Sequence, residues 1–71
     1  MPPGEWIQRE RLRVAQRLLQ TTEHPIDRVA RHAGYGSVAA MRAQFAQRLH
    51  TSPRSYRETF RARAGATEVE R

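Results

Sequence analysis

The 71-residue chain contains no cysteine, and only five of its residues are aromatic. The lack of cysteine excludes a disulfide framework and a thiolate metal site. No apolar run approaches the roughly 18–20 residues that cross a bilayer. Residues 1–5 also lack the charged and apolar regions of a secretory signal. We therefore expect a cytoplasmic chain that does not contact a membrane.

The chain is also too short for a large interior. A sequence of this length forms one small domain at most and buries about 60% of its unfolded surface. Apolar residues make up 38% of the chain, and many of them are alanines that add little buried area. These limits exclude a cofactor cavity and an enclosed active site.

Positive charge is abundant. Thirteen basic residues, all arginine, stand against seven acidic ones and give a net charge of +6. A pI near 11.5 in so small a domain favours a polyanionic partner, with nucleic acid as the first candidate. Composition alone leaves an alternative open, in which a GC-rich coding bias accounts for the arginines.

The apolar periodicity predicts four helices and no strand, which is an all-α fold. The first helix is expected over residues 5–20 and ends before Pro25, which cannot continue a helix. A pair of helices follows over residues 26–49, and a closing helix with a proline at its first position spans residues 53–62. We expect residues 65–71 to form a disordered tail.

The helix pair has the layout of a helix-turn-helix motif. Ala30 must be small because the two helices of the pair cross closely there. Gly34 stands at the end of the first helix of the pair, where a left-handed residue is favoured. Ser37 is a natural N-cap for the second helix of the pair. The outer side of that helix is then free to enter a DNA major groove about 12 Å wide. An ordinary helical hairpin needs the same small residue and the same glycine, so plain packing stays open at this point.

The sequence resembles the C-terminal half of the DNA-binding domain of AraC/XylS-type transcriptional regulators. The most distinctive motif runs from Gly34-Tyr35-Gly36-Ser37 to Ser52-Pro53-x-x-Tyr56, and the resemblance covers residues 3–61. A second similarity lies in Trp6 and in residues 25–27 and 38–40. These positions are similar to the branch whose members carry an amidase-like or DJ-1/PfpI-like sensory domain.

The resemblance implies a four-helix, homeodomain-like arrangement. Residues 5–20 match the family's linker helix, and residues 26–49 match its second helix-turn-helix unit. Residues 1–64 then form a half-domain without the first unit and without a sensory domain. The implied function is sequence-biased binding of double-stranded DNA, as part of a bacterial transcriptional regulator, with recognition helix 37–49 in the major groove.

A second hypothesis belongs to a different class of function. Without the first unit, the side of the linker helix that carries Trp6, Ile7 and Val14 would be bare, and exposed apolar area invites association. The chain would then be a truncated remnant that acts as a protein-interaction or dimerisation module with only weak, non-specific DNA binding. Its partner would be a second copy of the chain or the missing first unit.

The side chains expected to read bases lie on the alanine-rich side of the recognition helix, opposite Met41 and Phe45. The candidates are Val38, Ala39, Ala40, Ala43, Gln44 and Gln47. The first four match positions that usually meet base edges in the family, and the position of Ala43 is often arginine in relatives. An alanine can touch a thymine methyl group but cannot make the bidentate bonds that are worth about 1–3 kcal/mol of base discrimination. The two glutamines are therefore expected to supply the polar contacts, with some help from Arg42.

Phosphate contacts are expected at two helix starts and along the edges of the recognition helix. The candidates are Ser37, Arg42, Arg48, Ser52, Arg54 and Arg57. A helix N-terminus offers free amides and the positive end of the helix dipole to an anion. Arg42 and Arg48 lie beside the buried side, where they suit phosphates or cover the core with their stems. For any single arginine, a solvated surface charge stays open as the alternative.

The sequence offers little for catalysis or for metal binding. His24, His32 and His50 are expected on three different elements, at spacings that match no metal motif. No nucleophile stands at a fixed spacing from a base, and no glycine-rich phosphate loop is present. We therefore expect no enzyme activity, no metal, no cofactor and no small-molecule ligand in this segment.

Overall fold

The structure is a computed structural model that describes the backbone of residues 3–69 and the side chains of residues 4–63. It contains four helices: α1 (Pro3–Thr21), α2 (Ile26–Ala33), α3 (Val38–Leu49) and α4 (Pro53–Val69). No strand occurs within residues 3–69. The prediction of an all-α fold with four helices is confirmed.

Helix α4 is longer in the structure than the sequence predicts. It continues to Val69, whereas the apolar periodicity predicts an end at residue 62 and a disordered tail from residue 65. The segment 64–69 contains two alanines, and extending an existing helix is far less costly than nucleating a new one. A single glycine costs only about 1 kcal/mol in a helix, so Gly65 does not end it. Residues 70 and 71, which belong to the same predicted tail, lie outside the described residues.

The core forms where α1, α2 and α3 meet. Its buried members are Leu12, Ala15, Leu19, Val29, Ala30, Ala33, Tyr35, Met41 and Phe45. The three from α1 recur at i, i+3 and i+7, which places them on one side of that helix. The largest fully buried side chains among the nine are Phe45, Leu19, Met41 and Val29. Fully burying a side chain of this size contributes roughly 1.5–3 kcal/mol.

The turn between α2 and α3 has the geometry that the sequence predicts. Gly34 adopts φ 96° and ψ 9° in the left-handed region. Its N–H donates to the carbonyl of Arg31 (3.1 Å), and the N–H of Tyr35 donates to that of Ala30 (2.9 Å). The Oγ of Ser37 then accepts the N–H of Ala40 at 3.1 Å and caps α3. Because both ends of the turn are fixed, α3 leaves α2 in a defined direction.

Helix α4 closes the bundle against α1. The rings of Tyr56 and Phe45 pack edge to face with centroids 5.9 Å apart and an interplanar angle of 74°. Its hydroxyl accepts a hydrogen bond from the side-chain amide of Gln20 at 2.5 Å. Arg57 and Arg61 both donate to the carbonyl of Thr22, just after the end of α1. These contacts hold the start of α4 beside the end of α1.

Candidate nucleic-acid interface

The surface of α3 that points away from the core is open. Met41 and Phe45 are fully buried on the inner side. Opposite them lie five exposed residues, which we call the outer face of α3: Ala39, Ala40, Ala43, Ala46 and Gln47. Helix α3 contains no acidic residue. The outer face is therefore accessible, mostly methyl-lined and free of carboxylates on its own helix.

Two predicted base-reading residues lie at the borders of the outer face. Val38 is half-buried and packs against the core. Gln44 is also half-buried, and its Oε1 accepts a hydrogen bond from the Nε of Arg48 at 2.9 Å. Gln47 is exposed, so its side chain is freer to move than that of Gln44, although the sequence predicts polar base contacts from both.

Three predicted phosphate contacts lie around one concave pocket at the start of α4. This α4 pocket has a volume of about 380 Å³ and is lined by Ile26, Arg42, Ser52, Pro53 and Arg54. The Oγ of Ser52 accepts the N–H of Ser55 at 3.1 Å, which makes Ser52 the N-cap of α4. Both arginines are exposed, and neither takes part in an ion pair or hydrogen bond among the described side chains. The dipole of α4 adds positive potential at the same place.

Arg48 lies on the other flank of α3, where α1 holds it. Its two terminal nitrogens donate to the two carboxylate oxygens of Glu5, at 2.7 and 2.8 Å. The hydrogen bond from Arg48 lowers the pKa of Glu5 below its ordinary value, and the same bond raises the pKa of Arg48. This bidentate pair ties the last turn of α3 to the first turn of α1.

Arg57 also has contacts within the chain. It is half-buried, and it donates to the carbonyls of Leu19 (3.4 Å) and Thr22 (3.3 Å) at the end of α1. The structure therefore groups Arg42, Ser52 and Arg54 together and places Arg48 and Arg57 elsewhere, in contact with α1. Ser37, at the start of α3, is exposed.

Sequence reasoning missed Glu5 as a functional neighbour of α3. Its partner Arg48 is 43 residues away, and no periodicity or local motif joins positions so far apart. By itself the sequence shows Glu5 only as an acidic residue in the first turn of a helix, where its charge is favourable to the helix dipole.

The three histidines are not as dispersed as the sequence suggests. The rings of His24 and His32 stack with centroids 5.7 Å apart and an interplanar angle of 8°. Within the part of the chain that the structure describes, no group of three or more potential ligands could hold a metal ion. None of the described helices is long and apolar enough to cross a membrane.

A short helix, a turn with a left-handed glycine and a longer capped helix with an open outer side define a helix-turn-helix protein. A family model described as a helix-turn-helix domain matches residues 1–67. The chain belongs to the AraC-type helix-turn-helix family.

Two relatives are transcriptional regulators. The chain is 34% identical over 58 residues to the HTH-type transcriptional regulator Rv1931c of Mycobacterium tuberculosis (strain ATCC 25618 / H37Rv), a match that covers 82% of this chain and 22% of the regulator. It is 36% identical over 56 residues to the HTH-type transcriptional regulator AlkR of Acinetobacter baylyi (strain ATCC 33305 / BD413 / ADP1), covering 79% of this chain and 18% of AlkR. The chain thus spans about a fifth of the length of these relatives.

A solved structure has the same fold. The DNA-binding domain of the global transcriptional factor AdpA, crystallised in complex with a target DNA, superposes with a TM-score of 0.86 and 40% sequence identity. The match covers 89% of this chain and 57% of the AdpA chain.

Proposed function

We propose that this chain binds double-stranded DNA with a sequence bias, as part of a bacterial transcriptional regulator in the cytoplasm. The open outer face of α3 carries the proposal, because it is an exposed helical surface of the right width for a major groove and has no carboxylate on its own helix. The similarity to a domain solved with its target DNA supports the same function. We assign no catalytic role to this segment.

The proposed base contacts come from the outer face and its borders. Ala39, Ala40 and Ala43 offer methyl groups to thymine, and Val38 can contribute only its exposed fraction. Gln44 and Gln47 supply the hydrogen bonds. Because methyl contacts discriminate less than bidentate hydrogen bonds, the expected sequence preference is modest.

The proposed phosphate contacts are the two arginines that have no partner among the described side chains, Arg42 and Arg54, and the two capped helix starts. Arg42 and Arg54 flank the α4 pocket together with the helix start at Ser52, so one phosphate at this place would meet two positive side chains and a helix dipole. Ser37 marks a second helix start beside the outer face. We assign Arg48 and Arg57 to holding α1 against α3 and α4, because their donors already have partners within the chain.

The test is a fluorescence-anisotropy titration of duplex DNA at several salt concentrations. We expect log affinity to fall linearly with log salt, with a slope of about 0.9 for each phosphate contact. Arg42→Ala and Arg54→Ala should each lower the affinity for every duplex and reduce the slope by about one. The matched control is Arg17→Ala, which removes an exposed arginine from α1 and should change the slope less. Equal effects of all three variants would contradict the proposed interface.

A second candidate function is association through α1. Trp6, Ile7 and Val14 are 60%, 41% and 37% exposed and all lie on α1, so a partner that covered them would remove apolar area from water. We propose that a first helix-turn-helix unit or a second copy of the chain covers them. Sedimentation over a wide concentration range tests the second copy, and a strictly monomeric protein would contradict it.

We also propose that the regulator belongs to the branch with an amidase-like sensory domain. The similarity at Trp6 and at residues 25–27 and 38–40 supports this assignment. An in-frame coding sequence for such a domain, joined to this chain in the same gene, would agree with it. A sensory domain of another fold in that position would contradict it.

A further inference from the structure

The guanidinium group of Arg48 is held in one plane by α1. Its two terminal nitrogens meet the two oxygens of Glu5 at 2.7 and 2.8 Å, which is the parallel, charge-assisted geometry that fixes both position and orientation. Both side chains are partly shielded, with 25% of Arg48 and 39% of Glu5 exposed. Arg48 is therefore a fixed group at the edge of α3.

The remaining donor on that side of Arg48 determines the orientation of Gln44. The Nε of Arg48 lies 2.9 Å from the Oε1 of Gln44, one turn earlier in α3. A guanidinium has only donors, so the atom that faces it must be the carbonyl oxygen and not the amide nitrogen. The usual ambiguity between the two ends of a glutamine amide is thus removed by chemistry at this position.

Gln44 borders the outer face of α3. Ala40 lies four residues before it and Gln47 three residues after it, and both are exposed members of that face. With its oxygen turned towards Arg48, the group that Gln44 can present to DNA is the Nε2 amide with its two N–H donors.

This orientation limits which base Gln44 can read. A free glutamine reads adenine by donating to N7 and accepting from N6. That mode would require Oε1 to turn towards the DNA, and the charge-assisted bond from Arg48 opposes the turn. Guanine, in contrast, offers two acceptors side by side, O6 and N7.

Building on the proposed DNA binding, we propose that Glu5, acting through Arg48, holds Gln44 as a hydrogen-bond donor and so selects guanine over adenine at the base pair that Gln44 faces. Glu5 and Arg48 are positioning residues in this scheme, and Gln44 touches the base. Gln47, which has no partner among the described side chains, is free to read either purine.

The experiment selects binding sites from a randomised duplex pool with the unchanged chain and with Gln44→Ala. The position whose preference disappears in Gln44→Ala is the one that Gln44 reads. At that position we expect guanine to be favoured over adenine by roughly tenfold, which corresponds to about 1.4 kcal/mol. A preference for adenine there, or no position that responds to Gln44→Ala, would overturn the proposal.

The role of Arg48 is tested with two variants of different severity. Arg48→Met removes the hydrogen-bond donors and keeps a side chain of similar length. Glu5→Gln removes the negative charge that holds Arg48 and leaves Arg48 in place. Both should move the purine preference at the Gln44 position towards adenine, while the control Arg17→Ala, an exposed arginine on α1 outside the proposed interface, should leave that preference unchanged. Circular dichroism reports whether each variant is folded, and the milder Glu5→Gln keeps the test valid if Arg48→Met unfolds.

The salt dependence separates this scheme from a plain phosphate contact. If Arg48 only positions Gln44, Arg48→Met should change the base preference and leave the slope of log affinity against log salt unchanged. A uniform loss of affinity, with the slope lowered by about one and the base preference intact, would mean that Arg48 binds a phosphate and would overturn the proposal. If the unchanged chain binds no duplex in a salt-dependent way, both the proposed function and this inference fail. If the chain binds DNA with a base preference that Arg48→Met and Glu5→Gln do not change, only this inference fails and the proposed function stands.

Discussion

The turn that sets the direction of α3 depends on Gly34. Replacing Gly34 with alanine tests this dependence, and Gly36 provides the control. Gly34 has φ 96°, a conformation that costs an L-residue about 1–2 kcal/mol. A Cβ there would meet only the flexible Arg11 side chain, at 3.4–3.8 Å, so contacts add little to this cost. Alanine also restricts the unfolded chain, which returns about 0.4–1 kcal/mol. We therefore expect Gly34→Ala to destabilise the fold by about 1 kcal/mol.

Gly36 is the matched control two residues away. Its φ lies outside the left-handed region, and a Cβ there would meet nothing within 4 Å. Gly36→Ala should therefore stabilise the fold by about 0.4–1 kcal/mol through the unfolded state. The two variants should differ by about 2 kcal/mol, which is roughly 10 °C in Tm for a domain of this size.

The assay is thermal and urea unfolding followed by circular dichroism at 222 nm. Gly34→Ala should melt below the unchanged chain, and Gly36→Ala should melt at or above it. Equal shifts in Tm for the two variants, or a Gly34→Ala variant as stable as the unchanged chain, would refute the claim that a left-handed residue sets the direction of α3.

Three further predictions concern the contacts that hold α1, α3 and α4 together. His50 ends α3 in the left-handed region at φ 57°, so His50→Gly should raise the free energy of unfolding in urea by roughly 0.5–1 kcal/mol, and a loss would contradict the reasoning. Arg48 lowers the pKa of Glu5 from its ordinary value near 4.5, so the unfolded state binds the proton more readily. Stability should fall as the pH drops from about 5 through that lowered pKa, and acid titration of Glu5→Gln should show a smaller loss. Tyr56→Phe removes the hydroxyl that accepts from Gln20 and should cost about 1 kcal/mol in the same urea assay, whereas an unchanged midpoint would mean that the bond contributes nothing.

Local chemistry made most of the fold predictable from the sequence. The cap at Ser37 and the left-handed turn at Gly34 follow from residue types that satisfy the same backbone groups in any helical protein. The buried face of α3 follows from the spacing of Met41 and Phe45. The end of α4 was misjudged because alanine-rich, polar sequence fits both a helix and a tail, and periodicity cannot distinguish them when no apolar side is present.

The contacts of individual arginines were not predictable. Arg48 meets Glu5 across 43 residues, and Arg57 meets Leu19 across 38. A pairing of this kind depends on how the helices pack, which no local pattern encodes. The sequence could therefore name the surface of α3 as the candidate interface, but it could not separate the unpaired arginines Arg42 and Arg54 from those already held by α1.

DNA binding through the outer face of α3 is tested by an NMR titration of the labelled chain with duplex DNA, read at the alanine methyl groups and the backbone amides. If the outer face of α3 enters the major groove, signals of Ala39, Ala43 and Gln47 shift first and furthest, together with those of Arg42 and Arg54 around the α4 pocket. Shifts concentrated on the exposed side of α1 instead, with the outer face of α3 unmoved at saturating DNA, would contradict binding through that face.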